Sequence, residues 1–461
     1  MANRYDLVII GSGPGGYVAA VHAAQLGLKT ACVEKWPRLG GVCLNVGCIP
    51  SKALLDSSEY FHLAKVQLAS HGITTGTIGM DVSKMMARKE QVVKDLTDNV
   101  KKLLENHKVV ILQGTARLAG KNRITVDSAG KTETIEADNI ILATGSAPVA
   151  PAGLAFDGKT ILSSTEILKL DAVPGRLGIV GGGYIGLELG SVWLRLGSQV
   201  TVIEMLPEIA SSMDGQVRRR LQSLLKKQGF TFRLGTQVTR ATVAGDKATV
   251  VIESDGKSET LEFDKLLVSV GRRPLTQELN LEAVGVATDP QTGFVRVDAS
   301  LHTSVAGIYA IGDLVPGPML AHKASAEGKA AAEIIAGKPG EVNYDAIPSI
   351  VYTAPEVASV GLTEEHVKKL GIPYVTGAFP FAGAGRARCL GETEGFVKVI
   401  AHKATDRILG VHIIGARAAE MIAEAVLALE FGASAEDIAR TVHGHPTFAE
   451  ALMEAAAAVR K

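Results

Sequence analysis

The fold of this chain is decided by the stretch YDLVIIGSGPGG, which runs from Tyr5 to Gly16. An apolar run enters a glycine-rich turn, and an alanine-rich segment then leads to a second apolar run at residues 30–34. The glycines match the motif G-x-G-x-x-G at Gly11, Gly13 and Gly16. Between a strand and a helix this motif predicts a dinucleotide site, because the glycines admit a pyrophosphate to the free N–H groups of the helix N-terminus.

The same pattern begins again at Leu177. Its glycines are Gly181, Gly183 and Gly186. In each copy an acid follows the first glycine at the same distance, Glu34 in the first copy and Glu204 in the second. We expect both carboxylates to accept hydrogen bonds from ribose hydroxyls. Each copy ends in an apolar run before a glycine, which is Gly145 in the first copy and Gly271 in the second. The alternative to two dinucleotide sites is two strand–turn–helix units that bind no ligand.

The first copy is the longer one, because it carries an insertion before residues 92–104. That insertion contains Cys43 and Cys48. On a regular helix the Cα atoms of residues at this spacing lie ~8.6 Å apart, whereas a disulfide needs about 4.4–6.8 Å. The pair can therefore form a disulfide only where the backbone is distorted, as Gly47 and Pro50 allow. A disulfide that is held in a distorted backbone is typically labile and catalytic. The alternative is that Cys43 and Cys48 are two buried thiols that lie close together.

Two features follow the second copy. A strand pattern at residues 305–311 ends in Gly312 and Asp313, at the end of the strand where α/β proteins bind ligands. Taken alone, Asp313 is more commonly a turn aspartate. Further on, apolar residues recur at helical spacing over 418–429 and stop before Gly432. We expect this apolar face to pack in a C-terminal core that extends into a dimer interface.

The segment from His443 to Glu450 precedes an alanine-rich helical pattern. In one interpretation His445 is a general base and Glu450 the carboxylate that orients it. In the other, Thr447 and Glu450 form a capping box at the start of the helix. The bond between His445 and Pro446 could also be cis.

Length and composition limit the class of protein. A chain of 461 residues is long enough for about three domains. Basic and acidic residues number 48 each, so no overall field favours nucleic acid or an anionic membrane. The apolar run from Leu7 to Ile10 is too short for a signal peptide or a membrane span. Four cysteines do not make a secreted disulfide framework, which favours a cytoplasmic location.

Nearly the whole chain resembles the flavin disulfide reductases, and within them most closely the dihydrolipoamide dehydrogenases. The motifs that carry the resemblance, in the family's order, are the turn from Gly11, the segment Cys43–Lys52, the turn from Gly181 and the His-Pro-Thr segment at His445. The resemblance implies FAD in the first copy, NAD in the second copy and no metal. It also implies that Gly312 and Asp313 contact the ribityl-phosphate region of the flavin. It further implies a homodimer in which His445 and Glu450 reach the cysteines of the other subunit.

The resemblance gives each redox residue a role. Cys43 corresponds to the sulfur that exchanges with dihydrolipoamide, and Cys48 to the sulfur beside the flavin. Lys52 resembles the family's lysine near flavin N5, with Glu188 as its partner. Taken alone, these two residues are an ordinary helical cation and an ordinary helical acid. His445 would deprotonate the substrate thiol, since only the thiolate attacks Cys43.

The subclass depends on smaller differences. Residues 205–207, which follow Glu204, offer no arginine for a 2′-phosphate, and this favours NAD over NADP. The absence of that arginine counts against glutathione and trypanothione reductases. Val42 departs from the threonine usual in the family, and the lost hydroxyl could alter the redox potential. Cys32 is predicted to be a buried small hydrophobe, Cys389 has no evident partner, and neither is predicted to be catalytic.

The predicted fold is α/β, with two Rossmann-like dinucleotide-binding domains for FAD and NAD and a C-terminal α+β dimerisation domain. The predicted domains are an FAD-binding domain with the redox insertion at 1–145, an NAD-binding domain at 146–271, a return segment at 272–340 that completes the FAD or central domain, and an interface domain at 341–461. The predicted activity is oxidation of protein-bound dihydrolipoamide. The predicted partner is a lipoyl-bearing acyltransferase of a 2-oxo acid dehydrogenase complex or the H-protein of glycine cleavage. The alternatives are an NADPH-linked disulfide reductase of the same fold and a non-catalytic flavoprotein scaffold.

Overall fold

The computed structural model describes residues 4–460, which divide into two compact units. Unit 1 contains the residues up to Leu54, Asp81–Val149 and Gly271–Val342. Unit 2 contains Leu55–Met80, Ala150–Val270 and the residues from Asn343 onward.

Helices and strands occur along the whole described chain, and residues 110–180 and 231–274 contain strands and no α-helix. Up to residue 203 they are β1 (Arg4–Ile10), α1 (Pro14–Gln25), β2 (Thr30–Glu34), α2 (Gly41–Val46), α3 (Cys48–Val66), α4 (Val82–Asn106), β3 (Val110–Gln113), β4 (Thr115–Gly120), β5 (Arg123–Ser128), β6 (Lys131–Leu142), β7 (Ser146–Pro148), β8 (Ile161–Leu162), β9 (Arg176–Val180), α5 (Tyr184–Leu196) and β10 (Gln199–Ile203). From there to residue 335 they are α6 (Gly215–Gln228), β11 (Thr231–Arg233), β12 (Gln237–Ala244), β13 (Lys247–Ser254), β14 (Lys257–Phe263), β15 (Lys265–Val268), β16 (Arg272–Pro274), α7 (Leu281–Val284), β17 (Ile308–Ala310) and α8 (Ala321–Ile335). The remaining elements are β18 (Ser349–Val351), β19 (Glu356–Gly361), α9 (Glu364–Lys369), β20 (Tyr374–Pro380), α10 (Gly385–Leu390), β21 (Phe396–His402), β22 (Ile408–Gly415), α11 (Ala418–Glu430), α12 (Ala435–Arg440) and α13 (Glu450–Ala457).

The main sheet of unit 1 is built around β1. This strand pairs in parallel with β2 on one side and with β6 on the other, and β3 continues the sheet beyond β2. The long strand β6 has two kinds of partner, because its first part pairs antiparallel with β5 and its last part pairs parallel with β1 and β17. Most of β1 is buried, which explains the continuous apolar run in its sequence. The carboxyl ends of these parallel strands therefore lie along one edge, where α1 begins.

The predicted FAD-binding domain at 1–145 falls in unit 1 except for Leu55–Met80, which belong to unit 2, and the return segment at 272–340 lies in unit 1. The helices α2, α3 and α4 occupy the stretch between β2 and β3, so the helical pattern at 92–104 lies within α4. The last parallel strand, β17, comes from the return segment. The helix α8 packs closely on α1, since a Cβ on Gly328 would lie 2.5 Å from the carbonyl oxygen of Gly15.

Unit 2 contains the second parallel sheet, in the order β11-β10-β9-β15-β8. The strand β9 lies between β10 and β15 and is parallel to both, and α5 follows it after a glycine turn. An antiparallel sheet of β12, β13 and β14 stands between α6 and the return to β15. The second copy thus repeats the strand, turn, helix and strand arrangement of the first, as the sequence predicts.

The C-terminal part of unit 2 differs from the rest of the unit, because it is built on an antiparallel sheet in the order β18-β19-β22-β21-β20. The helix predicted over 418–429 is confirmed as α11, which ends before Gly432. Met421, Ile422 and Ala425 of this helix are buried in the core against the sheet. Phe431 stands at 81% exposure just beyond the helix. The predicted α/β fold with a C-terminal α+β part is therefore confirmed. Within residues 4–460 no helix is both long enough and apolar enough to cross a bilayer.

Candidate active site

The first glycine turn follows β1 directly, and its geometry admits little other than glycine at two positions. Gly11 has a φ of +107°, and a Cβ there would lie 2.4 Å from the carbonyl oxygen of Ala143. A Cβ on Gly16 would lie 1.9 Å from the carbonyl oxygen of Gly11. By contrast, a Cβ on Gly13 meets no protein atom within 4 Å. The outer face of the turn at the N-terminus of α1 therefore fits a pyrophosphate, as FAD requires.

Glu34 closes β2 beside this turn and is buried. One carboxylate oxygen, Oε2, accepts hydrogen bonds from the backbone N–H of Ser12 at 3.0 Å and from its hydroxyl at 2.6 Å. The other, Oε1, accepts from the N–H of Trp36 at 2.8 Å. Each carboxylate oxygen has two lone pairs, so Glu34 can hold the glycine turn and still accept from a ribose hydroxyl.

The second glycine turn repeats this arrangement in unit 2. Gly181 has a φ of +105°, and a Cβ on Gly186 would lie 2.5 Å from the carbonyl oxygen of Gly181, while a Cβ on Gly183 meets no protein atom within 4 Å. Glu204 accepts from the N–H of Gly182 at 2.6 Å through Oε2 and from the N–H of Leu206 at 2.8 Å through Oε1. In both copies the carboxylate therefore holds the glycine turn through hydrogen bonds. The second turn fits NAD, as the first fits FAD.

The predicted distortion at the cysteine pair is confirmed. Helix α2 ends at Val46, and α3 begins at Cys48 after Gly47, whose φ of −137° and ψ of −116° are not helical. A Cβ on Gly47 would lie 2.9 Å from the carbonyl oxygen of Val42, so only glycine fits this break. The break brings the cysteines together, since Cys43 and Cys48 share a side-chain hydrogen bond.

The environment makes the two cysteine thiols unequal. The hydrogen bond with Cys48 and burial raise the pKa of the Cys43 thiol, and the charge of Lys52 opposes this only in part. Cys43 is half-buried and Cys48 is exposed. Because only a thiolate exchanges with a disulfide, Cys43 needs a base that removes its proton when the pair is reduced.

A backbone contact joins the cysteine segment to the first glycine turn. A Cβ on Gly41 would lie 2.7 Å from the Cα of Gly13. The N–H of Gly40 donates to the carbonyl oxygen of Ser12 at 3.0 Å and lies 3.2 Å from its hydroxyl. The cysteines of unit 1 are thus held beside the turn that fits the FAD pyrophosphate.

Lys52 and Glu188 belong to different units, Lys52 to unit 1 on α3 and Glu188 to unit 2 on α5. Glu188 is buried, and its Oε1 accepts from the N–H of Tyr352 at 2.9 Å. The predicted pairing of Lys52 with Glu188 stays a prediction.

Asp313 lies at the end of β17, as the sequence predicts, and polar side chains that the sequence did not single out surround it. The hydroxyl of Ser146 donates to Oδ2 of Asp313. Arg272 donates from Nε to the Ser146 hydroxyl and from Nη2 to the Ser146 carbonyl, each at 2.7 Å. Gly145 and Gly271, the glycines that end the two copies, lie immediately before Ser146 and Arg272, with φ of +74° and +138°.

Gly312 is held by a buried ion pair on α8. Its carbonyl oxygen accepts from Nζ of Lys323 at 3.0 Å, and its N–H donates to Oε2 of Glu327 at 2.6 Å. Sequence reasoning missed Lys323 and Glu327, because a Lys and a Glu four residues apart normally form an exposed pair on a helix. Their burial could have been inferred from their position in an otherwise alanine-rich helix.

His445 and Glu450 form a hydrogen-bonded pair in unit 2. The Nδ1 of His445 lies 2.8 Å from Oε1 of Glu450. The imidazole is 78% exposed, so its Nε2 edge can reach another molecule. The N–H of Thr447 donates to Glu450, and this bond, with the one to His445, lowers the pKa of Glu450. A carboxylate that stays ionised can stabilise a protonated His445.

The structure contradicts the capping-box interpretation of the same residues. Helix α13 begins at Glu450 with Ala449 at its N-cap, and no side chain caps it. The hydroxyl of Thr447 donates instead to the carbonyl oxygen of Gly444 at 2.7 Å. The peptide bond between His445 and Pro446 is cis, as the sequence allowed.

The other two cysteines are apart from this site. Cys32 is fully buried in the core of unit 1, and burial raises the pKa of its thiol, which confirms the prediction of a small hydrophobe. Cys389 is exposed on α10.

Comparison with known proteins places this geometry in a family. Residues 5–328 match the pyridine nucleotide-disulphide oxidoreductase model, and residues 347–456 match its dimerisation domain. The chain belongs to the pyridine nucleotide-disulphide oxidoreductases. It is therefore an FAD-dependent oxidoreductase with NAD as its second cofactor, and the dimerisation domain supports a homodimer.

Particular relatives share about half of the sequence. A dihydrolipoyl dehydrogenase of Trypanosoma brucei brucei is 52% identical over 98% of this chain and 96% of its own length. The mitochondrial dihydrolipoyl dehydrogenase of Pisum sativum is 49% identical over 99% of this chain and 92% of its own length. Among solved structures, the HOCl-induced flavoprotein disulfide reductase RclA from Escherichia coli matches with a TM-score of 0.87 at 28% identity, covering 99% of this chain and 100% of RclA.

Proposed function

We propose that this protein is a dihydrolipoyl dehydrogenase, which oxidises protein-bound dihydrolipoamide and reduces NAD⁺ through a cysteine pair and FAD. The observation that carries the proposal is the pair of His445 and Glu450, which presents an exposed imidazole backed by an ionised carboxylate. Disulfide reductases need such a base when their substrate is a thiol. The relatives at about half identity bear the name of this activity.

The cysteine pair exchanges a disulfide with the substrate. A dihydrolipoamide thiolate attacks Sγ of Cys43, forms a mixed disulfide and releases Cys48 as a thiolate. The second substrate thiol, once deprotonated, attacks the lipoyl sulfur of that mixed disulfide and releases Cys43. The substrate leaves as a cyclic disulfide, and the pair retains the two electrons. When bound, FAD supplies the redox chemistry that connects the reduced pair with NAD⁺.

His445 handles the protons of this exchange. Its Nδ1 is engaged with Glu450, so Nε2 is the nitrogen that takes a proton from a substrate thiol. The ionised Glu450 stabilises the imidazolium that forms. In the homodimer we assign His445 to the cysteines of the other subunit, as the family resemblance implies. Lys52 and Glu188 are assigned to the flavin edge on the same resemblance.

Glu204 carries the preference for NAD. Its carboxylate is fixed by the N–H groups of Gly182 and Leu206, so it has a defined position for a ribose hydroxyl. The same charge would repel a 2′-phosphate. Replacing Glu204 with alanine should raise the KM for NADH roughly tenfold or more, because a hydrogen bond to a charged group is lost. It should give no preference for NADPH, and a native enzyme that strongly prefers NADPH would contradict this assignment.

We propose that the physiological partner bears the lipoyl group, either an acyltransferase core of a 2-oxo acid dehydrogenase complex or the H-protein of glycine cleavage. A chain with only four cysteines suits a reducing compartment. We propose the cytoplasm, although the relatives from Pisum sativum and Arabidopsis thaliana are named as mitochondrial.

The test uses hybrid dimers that combine two inactive subunits. One subunit carries Cys43→Ser and the other carries His445→Gln, with different affinity tags to purify the mixed dimer. If each site combines the cysteines of one subunit with the histidine of the other, the hybrid contains one intact site. It should then oxidise dihydrolipoamide at about half of the wild-type rate per dimer.

The other outcomes separate the alternatives. A hybrid without dihydrolipoamide activity, beside an active wild type, would place His445 and Cys43 of one subunit in the same site. A wild type that reduces glutathione disulfide with NADPH and leaves dihydrolipoamide unchanged would be the NADPH-linked reductase. A wild type whose flavin spectrum does not respond to NADH or dihydrolipoamide would be the scaffold.

A further inference from the structure

A second histidine–carboxylate pair lies next to the one described above. Nε2 of His443 lies 2.7 Å from Oε1 of Glu424 on α11, and Nδ1 lies 2.8 Å from the carbonyl oxygen of Thr441. The His443 side chain is only 5% exposed, whereas Val442 beside it is 95% exposed. His443 is thus turned into the protein from a segment that otherwise faces outward.

Both ring nitrogens of His443 lie within hydrogen-bond distance of a protein oxygen, one on the backbone of Thr441 and one on Glu424. The ring is therefore held at both nitrogens. Since Glu424 belongs to α11, its contact joins the segment around His443 to that helix.

We propose that His443 is a positioning residue whose hydrogen bond with Glu424 fixes the segment carrying His445. This inference rests on the proposed function, in which His445 is the base. The segment 441–447 is fixed by His443 to α11 and by the bond between His445 and Glu450 to α13. Phe448 anchors the end of the segment, since its ring packs edge-on against Phe381 in the core with centroids 5.7 Å apart.

His443 is also near the pair of His445 and Glu450. The charges of His445 and His443 both contribute to lowering the pKa of Glu450, after its hydrogen bonds. A shift of His443 should therefore be felt at Glu450, the partner of His445.

The first experiment follows the positions of the two histidines directly by NMR. The holoenzyme dimer is labelled with ¹⁵N-histidine, and the ring signals of His443 and His445 are assigned by their loss in His443→Gln and His445→Gln. We expect both sets of signals to shift in Glu424→Gln, because the segment loses its contact with α11. Unchanged His445 signals in Glu424→Gln would overturn the proposal, whatever the enzyme's substrate proves to be.

The second experiment uses Glu424→Gln and His443→Gln, with Glu420→Gln as the control because Glu420 is exposed on the same helix. We expect kcat/KM for dihydrolipoamide to fall about 10- to 100-fold in the first two variants, as a misplaced base would cause. NADH oxidation by ferricyanide, which does not need His445, should keep its wild-type rate in all three.

The outcomes distinguish this proposal from the proposed function. Unchanged kcat/KM in both variants would overturn the role of His443. A parallel loss of the ferricyanide reaction would show a general structural effect and would also overturn it. A wild type that does not oxidise dihydrolipoamide would instead overturn the proposed function, and the NMR result would still decide whether the contact with Glu424 positions His445.

Discussion

The ammonium of Lys323 lies 3.0 Å from the carboxylate of Glu327, and neither side chain is exposed to any extent. Both charges also bond the backbone of Gly312, one at its carbonyl and the other at its N–H. An ion pair this deep is costly to desolvate, so it contributes little to stability as a pair. Its effect is to fix the position of Gly312, and with it the adjacent Asp313.

Replacing one residue of this pair should destabilise the protein far more than replacing both residues. We expect Lys323→Met or Glu327→Leu alone to lower the free energy of unfolding by about 3–5 kcal/mol, because each leaves a buried charge without its partner. The double variant should recover most of this loss. Urea denaturation measures both effects, and Lys329→Met is the control because Lys329 is exposed on the same helix.

The same double variant separates stability from cofactor binding. Gly312 loses both of its side-chain partners in that variant, so FAD should dissociate faster even when the fold is recovered. A double variant with wild-type FAD retention would show that the pair has no positioning role.

The glycines of the first turn should respond differently to the same substitution. Gly16→Ala places a Cβ 1.9 Å from the carbonyl oxygen of Gly11, so the turn or α1 must move. We expect a loss of roughly 1–3 kcal/mol or more in the free energy of unfolding. Gly13→Ala meets no protein atom, so the protein without FAD should keep its stability and bind FAD more weakly. Equal losses of stability in the two variants would contradict this difference.

Glu364 should make the stability of unit 2 depend on pH in the acid range. Hydrogen bonds from Lys368 and Lys398 lower its pKa to about 2. The ordinary pKa of a glutamate is about 4.3, so the stabilisation is complete above that pH and is lost as the pH falls through about 2.

Replacement of this carboxylate tests the pH effect. Glu364→Gln should be less stable than the wild type at pH 7, and the difference should shrink as the pH falls from about 4.5 to about 2. Thermal unfolding at a series of pH values provides the measurement. Glu253→Gln, at an exposed strand position of the same unit, should follow the wild type throughout. A pH-independent difference for Glu364→Gln would refute the linkage.

The two cysteines should give different spectra when replaced singly. If Cys48 faces the flavin, Cys48→Ser removes the sulfur that interacts with the ring, and no long-wavelength thiolate–flavin band should form. Cys43→Ser leaves Cys48 as a thiol that can ionise, so that variant should show the band without added reductant. Absorption spectra of the two purified holoproteins provide the comparison, and the reverse pattern would exchange the assigned roles.

The sequence predicted the features that depend on near neighbours in the chain. The turns at Gly11 and Gly181 and their acids follow from short-range spacing, because a strand, a turn and a helix fix their geometry within one motif. The distortion at Gly47 was predictable for the same reason, since two cysteines on a regular helix cannot approach each other.

The features it missed depend on residues far apart in the chain. The burial of Lys323 and Glu327 follows from the packing of α8, and the bonds from Arg272 to Ser146 join residues that only the folded chain brings together. The capping-box interpretation failed because the hydroxyl of Thr447 donates to the carbonyl oxygen of Gly444 and α13 begins only at Glu450.

The contact between Gly41 and Gly13 has a consequence for how this chain can vary. A Cβ at position 41 would lie 2.7 Å from the Cα of Gly13, so a side chain there would separate the cysteine segment from the glycine turn. Any variant that keeps these two segments together must therefore keep a residue without a side chain at position 41.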